Sequence, residues 1–286
     1  MVYTGWCWRC VFSSRWLTVL APGSLALALR QTSVALFWLV FPEGCRICGR
    51  RLDEVSRIPV CADCLSAPRP LEAEHFCVSC RTPFQNRFPL DEQGRCPACR
   101  LGLRGFDAAY SFGAYEGVLR QLIHLFKYAR IRPLARPLGE YLAAALPHDQ
   151  RFELIVPVPL HWRRRLARGF NQAALLAAAV ARRYGVAVAP ALRRRRRTPS
   201  QAGLSNAQRR ANVAGAFVAR RKQDLAGRRV LLVDDVMTTG ATASACAAAL
   251  KRAGASHVAV LTLARADRRA PVGVLQDGRP MSREVA

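Results

Sequence analysis

The stretch Val230–Thr242, VLLVDDVMTTGAT, decides the reading of this chain. Its four opening aliphatic residues, Val230 to Val233, have the character of a fully buried strand. Asp234 and Asp235 arrive as that strand surfaces, and a small hydroxyl run around Gly240 then leads into an alanine-rich helix, TASACAAALKRAG. In an open parallel sheet, ligands collect at the carboxyl ends of strands, which is where these acids fall. The first turn of the helix leaves backbone N–H groups unsatisfied and carries partial positive charge, so it suits a phosphate. Gly240 lets the backbone approach closely, and the hydroxyls of Thr238, Thr239 and Thr242 can donate to phosphate oxygens. Carboxylates repel phosphate but accept hydrogen bonds from sugar hydroxyls. An acid pair beside a phosphate cradle therefore reads as a ribose 5-phosphate site. Neither G-x-x-x-x-G-K-[ST] nor G-x-G-x-x-G is present here, which argues against simple NTPase and dinucleotide readings.

Strands and helices alternate around this stretch. FDAAYSFGAY reads as a strand or hairpin. EGVLRQLIHLFKYAR reads as a helix with Val118, Leu122, Leu125 and Phe126 on one stripe, Arg120, His124 and Lys127 largely elsewhere, and Pro133 as its stop. Leu154 to Val156 then enter a Pro-x-Pro turn and a basic loop, followed by a long alanine helix closed by Gly185. RGFNQ, Arg168 to Gln172, opens that helix, with Asn171 and Gln172 placed to cap and pack. VAGAFVA and HVAVLTLAR read as further strands, and Cys246 as buried packing. The alternation predicts an α/β fold, a parallel sheet flanked by helices, over residues 104–266. Residues 267–286 lose periodicity and gain Pro, Gly and charge, as a flexible tail does.

Ahead of residue 104 the chemistry changes. Ten of the eleven cysteines form C-x2-C pairs, four of which lie in residues 41–103: Cys45/Cys48, Cys61/Cys64, Cys77/Cys80 and Cys96/Cys99. Two such knuckles complete the tetrahedral thiolate shell that Zn²⁺ prefers, so the four pairs predict two structural zinc sites. The alternatives for these cysteines are a disulfide framework or an Fe–S cluster. Gaps of twelve, twelve and fifteen residues allow sequential or interleaved pairing of knuckles. So small a segment cannot easily fold on apolar burial alone, and zinc at ~10–16 kcal/mol per structural site supplies what its core lacks. His75 reads as a surface residue, and Cys7 and Cys10 receive no role.

At 286 residues, 51% of them apolar, the chain can bury a core for one ordinary domain and a smaller one. Forty-four basic against nineteen acidic residues give a formal charge of +25, which favours polyanionic partners such as nucleic acid or phosphorylated metabolites. Only Lys127, Lys222 and Lys251 are lysines; the arginine excess therefore reads partly as coding bias, which weakens the charge as a DNA-binding signal. Residues 1–40 end in an apolar stretch, SLALALRQTSVALFWLV, which continues into Phe41 and is interrupted by Arg30 and Gln31. Neither half approaches the ~20 residues that span a bilayer, and the start lacks the features of a secretory signal. The expectation is a cytoplasmic protein with no membrane span, in which this segment is either an amphipathic helix packed on the body or upstream residues added by a misplaced start.

VLLVDDVMTTGAT resembles the PRPP-binding signature of the type I phosphoribosyltransferases. A narrower resemblance covers about residues 41 to 265. FPEGCRICG, the cysteine ladder, LIHLFKYAR, VPVPLHWRRRLARGFNQAALLA, RTPSQAGLSNAQRRANVAGAF and VLLVDDVMTTGAT, in this order, resemble the ComF family of competence and GntX-like proteins. That resemblance implies a double zinc ribbon joined to a type I phosphoribosyltransferase domain, a glycosyltransferase of unknown acceptor, and a link to DNA uptake. The partners it implies are PRPP, single-stranded DNA and the helicase and recombination proteins of competence.

By the same resemblance, Asp234 and Asp235 are the catalytic acids and hold the ribose hydroxyls, while Thr238, Thr239, Gly240, Ala241 and Thr242 form the 5-phosphate loop. Pro157, Val158, Pro159 and Leu160 stand where the superfamily has its pyrophosphate loop. Arg163, Arg164 and Arg165 would meet the leaving pyrophosphate together with Mg²⁺. Many members carry a carboxylate where this chain has Thr238, so a purine-type general base is missing. Thr198, Gln201, Leu204, Arg209 and Asn212 match the family pattern as a mobile flap. Arg193 to Arg197 are either a solvated run or a track for a DNA backbone, the core of an alternative reading as a non-catalytic single-stranded DNA-binding module.

Overall fold

The computed structural model describes residues 44–52, 56–84, 87–101, 105–160, 165–166, 168–195, 208, 213, 215–220 and 225–266. The expectations for residues 1–40, Arg163, Arg164, Arg196, Arg197, the five flap residues and the tail lie outside them. In chain order the elements are α1 (Ala62–Ser66), β1 (His75–Phe76), β2 (Pro83–Phe84), α2 (Pro97–Arg100), β3 (Ala108–Ala114), α3 (Gly117–Lys127), α4 (Ala135–Ala145), β4 (Leu154–Pro157), α5 (Gln172–Tyr184), β5 (Leu192–Arg194), β6 (Phe217–Ala219), β7 (Arg229–Met237), α6 (Ala241–Arg252) and β8 (His257–Arg265). No helix among the described residues is long and apolar enough to cross a membrane.

The main sheet is parallel, with strand order β3-β8-β7-β4. Its central strands are uninterrupted apolar runs because helices cover both faces. Val230 and Leu232 of β7 pack with Cys246 and Leu250 of α6. Leu231 and Val233 face the opposite core, with Leu122 and Phe126 of α3, Leu142 of α4 and Leu176 of α5. Gly185 ends α5 in the left-handed conformation, φ +66°, returning its N–H to Ala181 O at 2.8 Å.

Two local readings shift. The inward face of α3 is Leu119, Leu122, Ile123 and Phe126, with Val118 and Leu125 only partly buried, so the stripe is rotated from the one periodicity suggested. VAGAFVA supplies β6, but β6 pairs antiparallel with β5 in a separate two-stranded sheet. Strand character is local, whereas the choice of partner depends on distant residues.

The cysteine-rich segment hydrogen-bonds to β3, the edge strand of the main sheet. Leu71 N donates to Phe112 O at 2.6 Å, and Ala109 N donates to Ser79 O at 3.0 Å. Such contacts cover an edge that would otherwise invite pairing with another chain. Arg265, buried at the end of β8, donates from Nη1 to Cys80 O at 2.8 Å and from Nη2 to Thr82 Oγ1. The Tyr141 hydroxyl of α4 donates to Leu65 O.

Candidate functional site

β7 extends to Met237, past the acids that seemed to end it, because β8 pairs with it as far as Met237 opposite Arg265. On the other side, β4 pairs with β7 only from Leu154–Val230 to Pro157–Val233. Asp234 and Asp235 therefore lie just beyond the end of β4, with β8 on one side and, among the described residues, no paired strand on the other. This is where a parallel sheet exposes carboxyl-end groups to a ligand.

The acids are not equivalent. Asp235 N donates to Asp234 Oδ1 at 2.9 Å. Burial, and then the charge of Asp235, push the Asp234 carboxyl up to about 7, against the opposing pull of that hydrogen bond, Lys127 and Arg194. Asp235 forms an ion pair with Lys127 Nζ at 2.9 Å, the two side chains being only 14% and 12% exposed. Burial alone would lower the Lys127 ammonium, but the charges of Asp235 and Asp234 outweigh it and raise it. Removing one partner of such a sequestered pair strands the other charge, at a cost of about 3–5 kcal/mol.

Beyond β7 the chain makes a tight entry to α6. Gly240 takes φ +76°, a region that other residues adopt at a cost, and Thr239 Oγ1 accepts a hydrogen bond from Ala241 N at 3.4 Å. Thr238 is exposed at the turn. Pro157, the last residue of β4, and Val158 after it are buried, and Pro159 and Leu160 partly so. Asn171 reaches back across this loop, Nδ2 donating to Val158 O at 3.1 Å. It makes no side-chain cap on α5, so it holds the loop rather than the helix. Arg165 is exposed nearby in sequence, its carbonyl accepting Gly169 N at 2.7 Å.

Asp234, Asp235, the turn at 238–242 and the segment 157–160 thus gather at one end of the sheet. Sequence reasoning missed Lys127, which periodicity relegated to the polar side of α3. Its signal was compositional: it is one of three lysines in a chain whose other basic residues are arginine. Arg194 of β5 was also missed, as a member of a run read as solvent-exposed or DNA-facing; its charge acts on Asp234. Cys246 is buried as expected, and burial raises its thiol well above the ordinary value.

A second arrangement lies in the cysteine-rich segment. Cys45, Cys48, Cys61 and Cys64 form one group and Cys77, Cys80, Cys96 and Cys99 another, the four sulfurs in each within 4.8 Å of one another. The knuckles therefore pair sequentially, a choice that spacing left open. Sulfur separations of 3.7 Å recur at Cys48–Cys61, Cys77–Cys99 and Cys80–Cys96. A tetrahedron with ~2.3 Å Zn–S bonds has edges of about 3.8 Å, so the donor set fits zinc in size and chemistry. Backbone N–H groups of Cys61, Cys64 and Cys96 point at Cys45, Cys61 and Cys77 Sγ, at 3.4, 3.5 and 3.3 Å, as suits thiolates. Gly49 follows the first knuckle with φ +75°, and Arg81 holds the matching position of the third with φ +52°.

Comparison with known proteins bears on this arrangement. Residues 171–278 match the family model described as Phosphoribosyl transferase domain. Adenine phosphoribosyltransferase of Mycobacteroides abscessus is 40% identical over 112 residues, covering 38% of this chain and 60% of that protein. Competence protein F of Haemophilus influenzae is 31% identical over 211 residues, 71% of this chain and 90% of that protein. DNA utilization protein YhgH of Escherichia coli K12 is 31% identical over 235 residues, 79% of this chain and 99% of that protein. Likeness that covers 90% and 99% of these two relatives, and 71% and 79% of this chain, means that this chain belongs to the ComF/YhgH family.

Proposed function

We propose that this protein binds Mg·PRPP in the crevice beside β7 and transfers its phosphoribosyl group, in the cytoplasm, in support of DNA uptake or use. The observation that carries this reading is the acid pair at the open step between β4 and β7, directly ahead of the glycine turn into α6. The names of the two long relatives, a competence protein and a DNA utilization protein, support the cellular role. Asp234 and Asp235 accept hydrogen bonds from the ribose hydroxyls, and residues 238–242 take the 5-phosphate at the amino end of α6. The pyrophosphate is assigned to residues 157–160 and, by family resemblance, to Arg163, Arg164 and Arg165 of the sequence that follows. Mg²⁺ supplies charge neutralisation on that leaving group. In transfer, the bond from ribose C1 to pyrophosphate breaks, a bond to the acceptor forms, and the acceptor loses a proton. The protein's share of the work is positioning and electrostatic stabilisation. We assign residues 41–103 to a double zinc ribbon that braces residues 104–266 and takes no part in the chemistry, since four thiolates leave zinc no open position. Pyrophosphate release from Mg·PRPP against a panel of acceptors tests the transfer; release with none of them would reduce the proposal to binding alone.

Lys127 is one of the groups that tune the titration of Asp234. Its charge favours ionised Asp234, so Lys127→Met moves that titration upward from about 7. If hydroxyl binding needs the carboxylate, affinity for Mg·PRPP at pH 7 falls roughly fivefold for the first unit of displacement and about tenfold for each further one, and rises again in alkaline buffer. Calorimetric titrations from pH 6 to 9, corrected for ionisation of free PRPP, measure this; a midpoint identical to that of the native protein would contradict it.

A second reading, single-stranded DNA binding without transfer, draws on Arg193 and Arg195, both exposed at β5. Neutralising Arg193, Arg195, Arg196 and Arg197 should then flatten the salt dependence of oligonucleotide binding. Binding that is insensitive to salt in the native protein would count against it.

A further inference from the structure

We propose that Cys48 and Cys61 form a peroxide-sensitive pair, whose conversion to a disulfide releases one of the two zinc ions and leaves the other in place. This rests on the zinc assignment above and is independent of the PRPP reading. The two thiolate groups are alike in size but differ in setting. In the first, Cys48 is exposed and Cys61 partly so, and their sulfurs lie 3.7 Å apart. In the second, Cys77 and Cys80 are fully buried, Cys96 is 3% exposed and Cys99 is partly open. Its close pairs, Cys77–Cys99 and Cys80–Cys96, therefore each contain at least one cysteine closed to solvent. Among the described residues, Cys48 and Cys61 are the one close pair of sulfurs in which neither cysteine is buried.

Hydrogen bonding sharpens the contrast. A thiolate that accepts hydrogen bonds has less charge to offer an electrophile, so the least bonded and most open sulfur reacts first. Cys45 Sγ accepts from Cys61 N at 3.4 Å and Cys61 Sγ from Cys64 N at 3.5 Å, whereas no backbone N–H among the described residues donates to Cys48 Sγ. In the second group, buried Arg265 donates from Nη2 to Thr82 Oγ1, which leaves the Thr82 hydroxyl proton for Cys80 Sγ, 2.8 Å away. The chemistry runs in two steps. Cys48 Sγ attacks a peroxide oxygen, the O–O bond breaks, hydroxide leaves, and a sulfenic acid remains. Cys61 Sγ then attacks the Cys48 sulfur and the S–O bond breaks with loss of a second hydroxide. Two thiolates and one hydrogen peroxide thus become one disulfide and two hydroxides, the cysteines giving the two electrons that reduce the peroxide. Cys45 and Cys64 alone do not complete a tetrahedral thiolate shell. Their loosening reaches the sheet, because both pack in the cluster that holds Leu122, Leu142 and Val233, and Leu65 O, next to Cys64, accepts the Tyr141 hydroxyl of α4.

The test exposes the full zinc-loaded chain to hydrogen peroxide, follows released zinc with a chromogenic chelator, and maps disulfides by mass spectrometry of unreduced peptides. About one of the two zinc ions per chain should leave, a Cys48–Cys61 disulfide should appear in step with it, and a thiol reductant with added zinc should reverse both. Cys48→His keeps a ligand for zinc but cannot form the disulfide, so its peroxide-driven zinc release should be slower by at least about tenfold. Release of both ions together, a Cys77–Cys99 or Cys80–Cys96 disulfide in place of Cys48–Cys61, or release from Cys48→His at the native rate overturns the pair. So does a native chain that keeps both ions and all eight thiolates under peroxide. If Cys48→His does not hold zinc, the peptide map of the native chain decides alone. A chain that carries no zinc before peroxide is added overturns the zinc assignment itself, and metal analysis of the starting protein reads that outcome separately.

Discussion

Removing the metal is expected to open the main sheet along with the cysteine-rich segment. A structural zinc site contributes ~10–16 kcal/mol, as large as the ~5–15 kcal/mol net stability of a whole domain. The two thiolate groups are also part of the cores on either side of the sheet. Cys77, Cys80 and Cys96 share a buried cluster with Val230, Leu232 and Leu250, whereas Cys45 and Cys64 pack in the one containing Leu122, Leu142 and Val233. Arg265 ties Cys80 and Thr82 to the last residue of β8, and so to the end of the strand that pairs with the acids' strand. Chelation should release close to two zinc ions per chain and lower the melting temperature by more than about 20 °C. Cys246 gives a local readout, because it is fully buried on α6 and belongs to neither thiolate group. Its labelling by a thiol reagent should become rapid in the metal-free protein. A protected Cys246 with an unchanged melting curve would mean that the cysteine-rich segment is an independent appendage.

Replacing both acids, Asp234→Asn with Asp235→Asn, is expected to weaken Mg·PRPP binding beyond detection. A hydrogen bond to a charged group contributes about 1.5–3 kcal/mol, so losing one at each acid weakens binding roughly 10²- to 10⁴-fold. The opposing effect is electrostatic: removing negative charge from the crevice, with Lys127 left beside it, favours any phosphate. Inorganic pyrophosphate separates the two. It lacks the sugar hydroxyls, so it should bind the double variant at least as well as the native protein. Equal weakening of PRPP and pyrophosphate would point to a collapsed crevice rather than lost hydroxyl contacts.

Much of this fold is legible where local chemistry and tertiary structure agree. Val230 to Val233 announce a strand buried on both faces, and they are buried. The C-x2-C spacing announces thiolate groups, because a knuckle is a local structure. What stayed hidden depends on residues far apart in sequence. Sequential pairing of the knuckles is set by how the chain wraps, and no gap length encodes it. The continuation of β7 to Met237 follows from the length of β8. Lys127 was read correctly as lying off the apolar stripe, but periodicity says which face of a helix is apolar and nothing about what the other face meets. Here that face meets Asp235. Arg194 was similarly submerged in a run of five arginines, and only the pairing of β5 with β6 gives it a fixed place beside the acid pair.

The central claim is that the crevice beside β7 holds a phosphorylated ribose through its two acids. Isothermal titration of Mg·PRPP into zinc-loaded protein tests it most directly, with the native chain and the Asp234→Asn, Asp235→Asn variant measured side by side. The account predicts one binding event per native chain and none in the variant, whose melting curve should still show a folded protein. Absence of binding to the native chain, or equal affinity in the two, would contradict it.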